Sequence, residues 1–108
     1  MGTDDILEMI KKEIAGSPIV LFTKGTADMP MCGFSARTIA VFKEIGRPFK
    51  TVDVLPDPRI RQVLSAHSNW PTIPQVFIAG QFVGGCDIVT EMHGKGELRP
   101  VVEKAFQK

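Results

Sequence analysis

Cysteine is scarce in this chain of 108 residues: there are two, Cys32 and Cys86. A secreted disulfide scaffold of this size carries more, so the cysteines are not read as staples. An excess of charge is also lacking. Thirteen Lys and Arg face twelve Asp and Glu, a net charge of +1, which leaves no basic footprint for nucleic acid or for an anionic membrane. No apolar run approaches the ~18 residues of a membrane span. Repeats, low-complexity segments and linkers are absent. His67 and His93 stand far apart in no metal-ligand spacing. Two acids, Asp4 and Asp5, near the amino terminus argue against a signal or transit peptide, and Ile6 stands where a myristoylation signal wants Ser or Thr. The expectation is a cytoplasmic protein, or the mature part of an organellar one.

What is present suits one globular domain over residues 1–108. The chain is 44% hydrophobic and 23% charged, and long enough to bury a core without disulfides. Thr3 with Asp4 and Asp5 reads as a helix start, a capping hydroxyl followed by acids in the first turn. Ile6, Leu7, Ile10 and Ile14 follow at helical spacing until Gly16 and Pro18. Ile19, Val20, Leu21 and Phe22 form an unbroken apolar run, the mark of a strand buried on both faces. Residues 24–31 have no period and read as a loop. A second helix starts near Cys32 or Gly33, carries Ile39, Phe42 and Ile45 on one face, and stops at Gly46. Residues 49–54 predict a strand. Pro56 and Pro58 open a third helix with Ile60, Val63 and Leu64 as its core face. Residues 76–83 predict a hairpin turning at Ala79 and Gly80, broken by Gly84 and Gly85. Asp87 opens a last helical stretch, interrupted at residues 94–96. The order α-β-α-β-α-β-β-α-α predicts an α/β domain, a small mixed sheet with helices on both faces, and suits the thioredoxin fold.

A free cysteine is often only a small hydrophobe, so position must separate Cys32 from Cys86. Cys32 follows a strand and loop and directly precedes a helix. Unpaired N–H groups at a helix start favour the thiolate, the reactive and metal-binding form of cysteine. Lys24 adds a positive charge nearby, and Gly33 leaves the sulfur uncrowded. Ser35 stands where a Cys-x-x-Cys motif has its second thiol. Cys32 therefore lacks a resolving partner at that position. It must use an outside thiol, or hold something that needs no resolution.

Cys32-Gly33-Phe34-Ser35 resembles the signature of the monothiol glutaredoxins. Phe22-Thr23-Lys24-Gly25, Trp70-Pro71-Thr72-Ile73-Pro74-Gln75 and Gly84-Gly85-Cys86-Asp87-Ile88 match the same family in the right order, so the resemblance covers nearly the whole chain. It implies a thioredoxin fold with a four-stranded mixed sheet and a glutathione site. Lys24 and Arg61 would bind the glycine-end carboxylate, although a solvated helix face is the ordinary reading of Arg61. Thr72 and Ile73 would lie along the tripeptide, with Pro74 in cis exposing the Ile73 backbone. Gly85, the Cys86 N–H and the Asp87 side chain would hold the γ-glutamyl end, although Asp87 also reads as a helix cap. Trp70 is open to a packing role. Phe22 replaces a Tyr often seen in the family, in a chain with no tyrosine. The long loop before Cys32 accompanies, in the family, poor disulfide reduction and a cluster-binding role.

The resemblance further implies a labile [2Fe–2S] cluster. Such a cluster takes four thiolate-type ligands. Two Cys32 sulfurs from two chains and two glutathione thiolates make that number, which predicts a homodimer through the cluster. Cys32 and Cys86 from each of two chains would also make it; that set ranks second, because the family uses Cys86 for a backbone contact. A slow disulfide of Cys86 with Cys32 or with glutathione is left open. The implied role is cluster transfer to apo iron–sulfur proteins, with a BolA-type protein as a further partner. The alternative is a glutathione-dependent oxidoreductase with Cys32 as nucleophile.

Overall fold

The computed structural model describes residues 2–107. The elements run α1 (Thr3–Ala15), β1 (Ile19–Thr23), α2 (Gly33–Ile45), β2 (Lys50–Asp53), α3 (Pro58–Ser68), β3 (Gln75–Ile78), β4 (Gln81–Gly84), α4 (Cys86–Gly94) and α5 (Leu98–Ala105). The four-stranded sheet has the order β2-β1-β3-β4. β1 pairs parallel to β2 and antiparallel to β3, and β3 pairs antiparallel to β4. The element order and the mixed sheet are those expected from the sequence.

Every residue of β1 is buried, because helices cover both faces of the sheet. Successive side chains of a strand point to opposite faces. Ile19 and Leu21 accordingly join Val76, Ile78, Phe42 and Val89 on the side of α2, α4 and α5. Val20 and Phe22 join Phe77, Ile10 and Leu64 on the side of α1 and α3. The unbroken apolar run of β1 is thus the sum of two interleaved core faces.

Several boundaries differ from the expectation. Thr3 is the first helical residue of α1 and Gly2 is its cap; the Gly2 N–H donates to Asp5 Oδ2 at 3.3 Å, so the acid three positions on closes that end. In α3 the cap is Asp57, whose carboxylate accepts the Arg59 N–H, and Pro58 is the first helical residue. Proline suits that place because its missing N–H would be unpaired anyway; Pro56 lies outside. Leu64 alone of the predicted α3 face is fully buried, with Ile60 and Val63 packed at its edge. Phe49 and Val54 fall outside β2. Gly84 ends β4 instead of breaking the hairpin, and α4 opens at Cys86 with Gly85 as its cap. Asp87 is therefore a first-turn residue and not the cap.

The segment read as a plain loop is built. Gly25 and Pro30 form an antiparallel bridge. The Met31 N–H donates to Lys24 O at 2.8 Å, and the Thr26 N–H to Met29 O at 3.2 Å. The Thr23 hydroxyl donates to Gly25 O at 2.8 Å. Asp53 Oδ1 accepts from Gly25 N at 2.9 Å and from Leu55 N at 3.0 Å, tying the loop to the end of β2.

Candidate active site

α2 and α4 both begin at one cleft of about 430 Å³, lined by Lys24, Cys32, Arg61, Thr72, Ile73, Cys86 and Asp87 together with Phe34, Trp70, Pro74 and Ile88. Of the site residues expected from sequence, Gly85 alone is not on the lining; it lies just behind. A Cβ there would come within 3.1 Å of Trp70 Nε1 and 3.3 Å of Pro74 O, so a side chain at this position would press the opposite wall outward by a few tenths of an ångström. The Ile73–Pro74 peptide is cis.

Cys32 is the cap residue of α2, in extended backbone, and its side chain closes no capping hydrogen bond. The residue is half-buried. Its thiol pKa is lowered, first by the backbone N–H of Ser35 and further by the N–H of Phe34, the Lys24 ammonium and the Ser35 hydroxyl, against the opposing effect of burial. These amides act on the sulfur as the positive end of the helix. Ser35 itself is fully buried and its Oγ accepts the Lys24 N–H at 3.1 Å. One hydroxyl thus joins the end of β1 to the thiol.

Cys86 lines the same cleft from the start of α4 but is buried, with its sulfur 3.8 Å from Thr90 Oγ1. Neither cysteine is in a disulfide. Two cations, Lys24 just past the end of β1 and Arg61 on α3, and the Asp87 carboxylate on α4 share one cleft with the thiol. That arrangement suits a ligand carrying both carboxylate and ammonium groups.

Trp70 proves to be a wall residue, its ring 5.5 Å from that of Phe82. Phe34 and Ile88 were not singled out from the sequence, and a single sequence holds no signal of their exposure. Met29, Met31, Phe34 and Ile88 are large apolar side chains left exposed on the loop before Cys32 and the helix starts around it. Gln75 was also missed as more than part of a motif, although a polar residue inside the run Ile73–Ile78 was a visible signal. No group of three or more His, Cys, Asp and Glu that could hold a metal ion occurs among the described residues.

The glutaredoxin family profile matches residues 19–83. Glutaredoxin 4 of Escherichia coli is 43% identical over 94% of this chain and 89% of its own. The chloroplastic monothiol glutaredoxin-S14 of Arabidopsis thaliana is 45% identical over 96% of this chain, and the mitochondrial monothiol glutaredoxin-S4 of rice 43% identical over all of it. The chain spans 60% and 57% of the length of those two plant relatives. Among solved structures, reduced apo GrxS14 from poplar superposes with a TM-score of 0.86 at 42% identity, over 97% of each chain. A buckwheat glutaredoxin–glutathione complex superposes with 0.85 at 27% identity, over 95% of this chain and 92% of that one. No described helix is long and apolar enough to cross a membrane. With four matching motifs, one cleft that gathers them and relatives that align along almost its full length, this chain belongs to the monothiol glutaredoxins and has their thioredoxin fold.

Proposed function

We propose that the chain binds glutathione in this cleft and, with it, carries a labile [2Fe–2S] cluster to apo iron–sulfur proteins. The observation that carries the reading is the single activated thiolate: Cys32 opens into the cleft with its pKa lowered, and a buried serine takes the place of a second thiol. Lys24 and Arg61 hold the glycine-end carboxylate. Thr72 and Ile73 line the peptide, with Ile73 offering its backbone as a strand edge would. Gly85, the Cys86 N–H and the Asp87 carboxylate hold the γ-glutamyl end, where the α4 amides favour a carboxylate. The glutathione bound by the buckwheat protein supports this assignment.

The donor set fits the cluster only in part within one chain, and the remainder is what argues for an assembly of two. Iron in such clusters takes thiolate ligands; Cys32 supplies one, and cleft-bound glutathione supplies a second. A homodimer doubles this to four. A BolA-type protein in place of one subunit is the further partner, and cytoplasm or an organelle is the place of action.

The test is anaerobic reconstitution with iron, sulfide and glutathione, followed by the visible spectrum. A cluster spectrum that needs both glutathione and Cys32, and is lost in Cys32→Ser, is the expected result. No cluster under any condition overturns the carrier reading.

The lowered thiol pKa favours a second reading with the same cleft. Cys32 thiolate attacks the glutathione sulfur of a mixed disulfide, expels the partner thiolate and becomes glutathionylated. A second glutathione thiolate then attacks that disulfide, releasing Cys32 and glutathione disulfide. Turnover of a glutathionylated peptide without cluster binding selects this reading.

A further inference from the structure

Residues 70–74 supply four of the cleft-lining side chains yet belong to no helix or strand. A wall without regular structure needs something else to fix it. Gln75, the first residue of β3, is fully buried. Its Nε2 donates to Trp70 O at 3.0 Å and to Thr72 O at 3.2 Å. Both amide hydrogens are thus used, and both on the wall. Its Oε1 is buried without a hydrogen-bond partner, a cost that an apolar side chain would avoid. β3 pairs Gln75 with Phe22, on the face where Phe22, Phe77 and Ile73 pack. The position is a core position, and packing alone asks for an apolar residue there.

We propose that Gln75 is a positioning residue for the glutathione cleft: its amide, braced in the core, clamps the carbonyls of Trp70 and Thr72 and so sets the peptide edge that Thr72 and Ile73 present to the ligand. The inference rests on the glutathione reading above. Gln75 does not touch the ligand. It acts by denying the wall other conformations, so that less order has to be imposed when glutathione binds.

The decisive variant is Gln75→Met, which keeps the side-chain length and removes both donors and the orphaned acceptor. Three quantities are measured on wild type and variant: glutathione affinity by calorimetry, the urea unfolding midpoint, and the alkylation rate of Cys32. The expected result is a loss of affinity of about tenfold, with a cooperative unfolding transition retained and Cys32 alkylation unchanged. Gln75→Glu sets a carboxylate against the same two carbonyls and is expected to bind more weakly still. Equal affinity in wild type and Gln75→Met overturns the clamp and leaves the glutathione reading intact. Weak binding together with a lost cooperative transition marks Gln75 as a general packing residue, which also overturns it. Absence of glutathione binding in wild type overturns both readings together.

Discussion

Ser35 shows what a single atom contributes at this site. Its buried oxygen accepts from Lys24 N, and its hydroxyl is one of the groups lowering the Cys32 pKa, behind the amides of Ser35 and Phe34 and the Lys24 charge. Ser35→Ala removes the hydroxyl and keeps the amides. The alkylation rate of Cys32, followed against pH, is expected to show a midpoint moved upward but still below that of an ordinary thiol. A midpoint at or above that value would show that the helix amides are not the larger influence. The same variant leaves the Lys24 N–H without its partner, an expected loss of about 1–3 kcal/mol in urea unfolding. The sign of the linkage follows from the lowered pKa. The thiolate stabilises the fold fully at pH above the unfolded thiol value, and this stabilisation is lost as pH falls through the folded value. Cys32 was legible in the sequence because a strand, a loop and a helix start are local signals. The role of Ser35 as a bridge was not, because Lys24 lies eleven positions away and only the fold brings the two together.

The loop from Lys24 to Cys32 belongs to the scale of elements. Its bridge and turn need Gly25 at φ +91°, where an added Cβ would fall 2.4 Å from Met29 O and 2.7 Å from Met31 N. Moving Met29 O opens the Thr26–Met29 bond, and moving Met31 N opens the Met31–Lys24 bond. Gly25→Ala is therefore expected to cost at least about 1–2 kcal/mol from backbone conformation alone, measured by urea unfolding. Gly33→Ala, where a Cβ meets nothing within 4 Å, is expected to change stability by less than about 0.5 kcal/mol. The contrast separates the loop's geometry from mere proximity to Cys32. The existence and order of the nine elements among the described residues followed from periodicity and from Pro and Gly punctuation, because those are properties of neighbouring residues. The loop's internal order was not legible. Its ties run to Asp53, 28 positions away, and composition alone gives such a segment the look of irregular chain. The caps at Gly2 and Gly85 were missed for a related reason: a glycine cap has no side chain to announce it.

Across the whole molecule, two apolar clusters on either side of one sheet carry the fold. Leu64 is fully buried in the cluster under α1 and α3. Leu64→Ala is expected to cost about 2–5 kcal/mol, a large share of the ~5–15 kcal/mol that holds a domain of this kind folded; a urea titration checks it. Cys32→Ser, at a half-buried position outside both clusters, is expected to shift stability by no more than about 0.5 kcal/mol at a pH below the thiol's folded pKa. Its effect belongs to chemistry alone. Both cysteines are free and no sulfur–sulfur bond links one layer to another. The architecture is thus indifferent to the electrochemical weather around it. On the reading proposed above, Cys32 passes between bare, tripeptide-capped and iron-bonded forms while the same oily interior goes on holding the same shape, so that each change of state at the sulfur is reversible without any unfolding of its support.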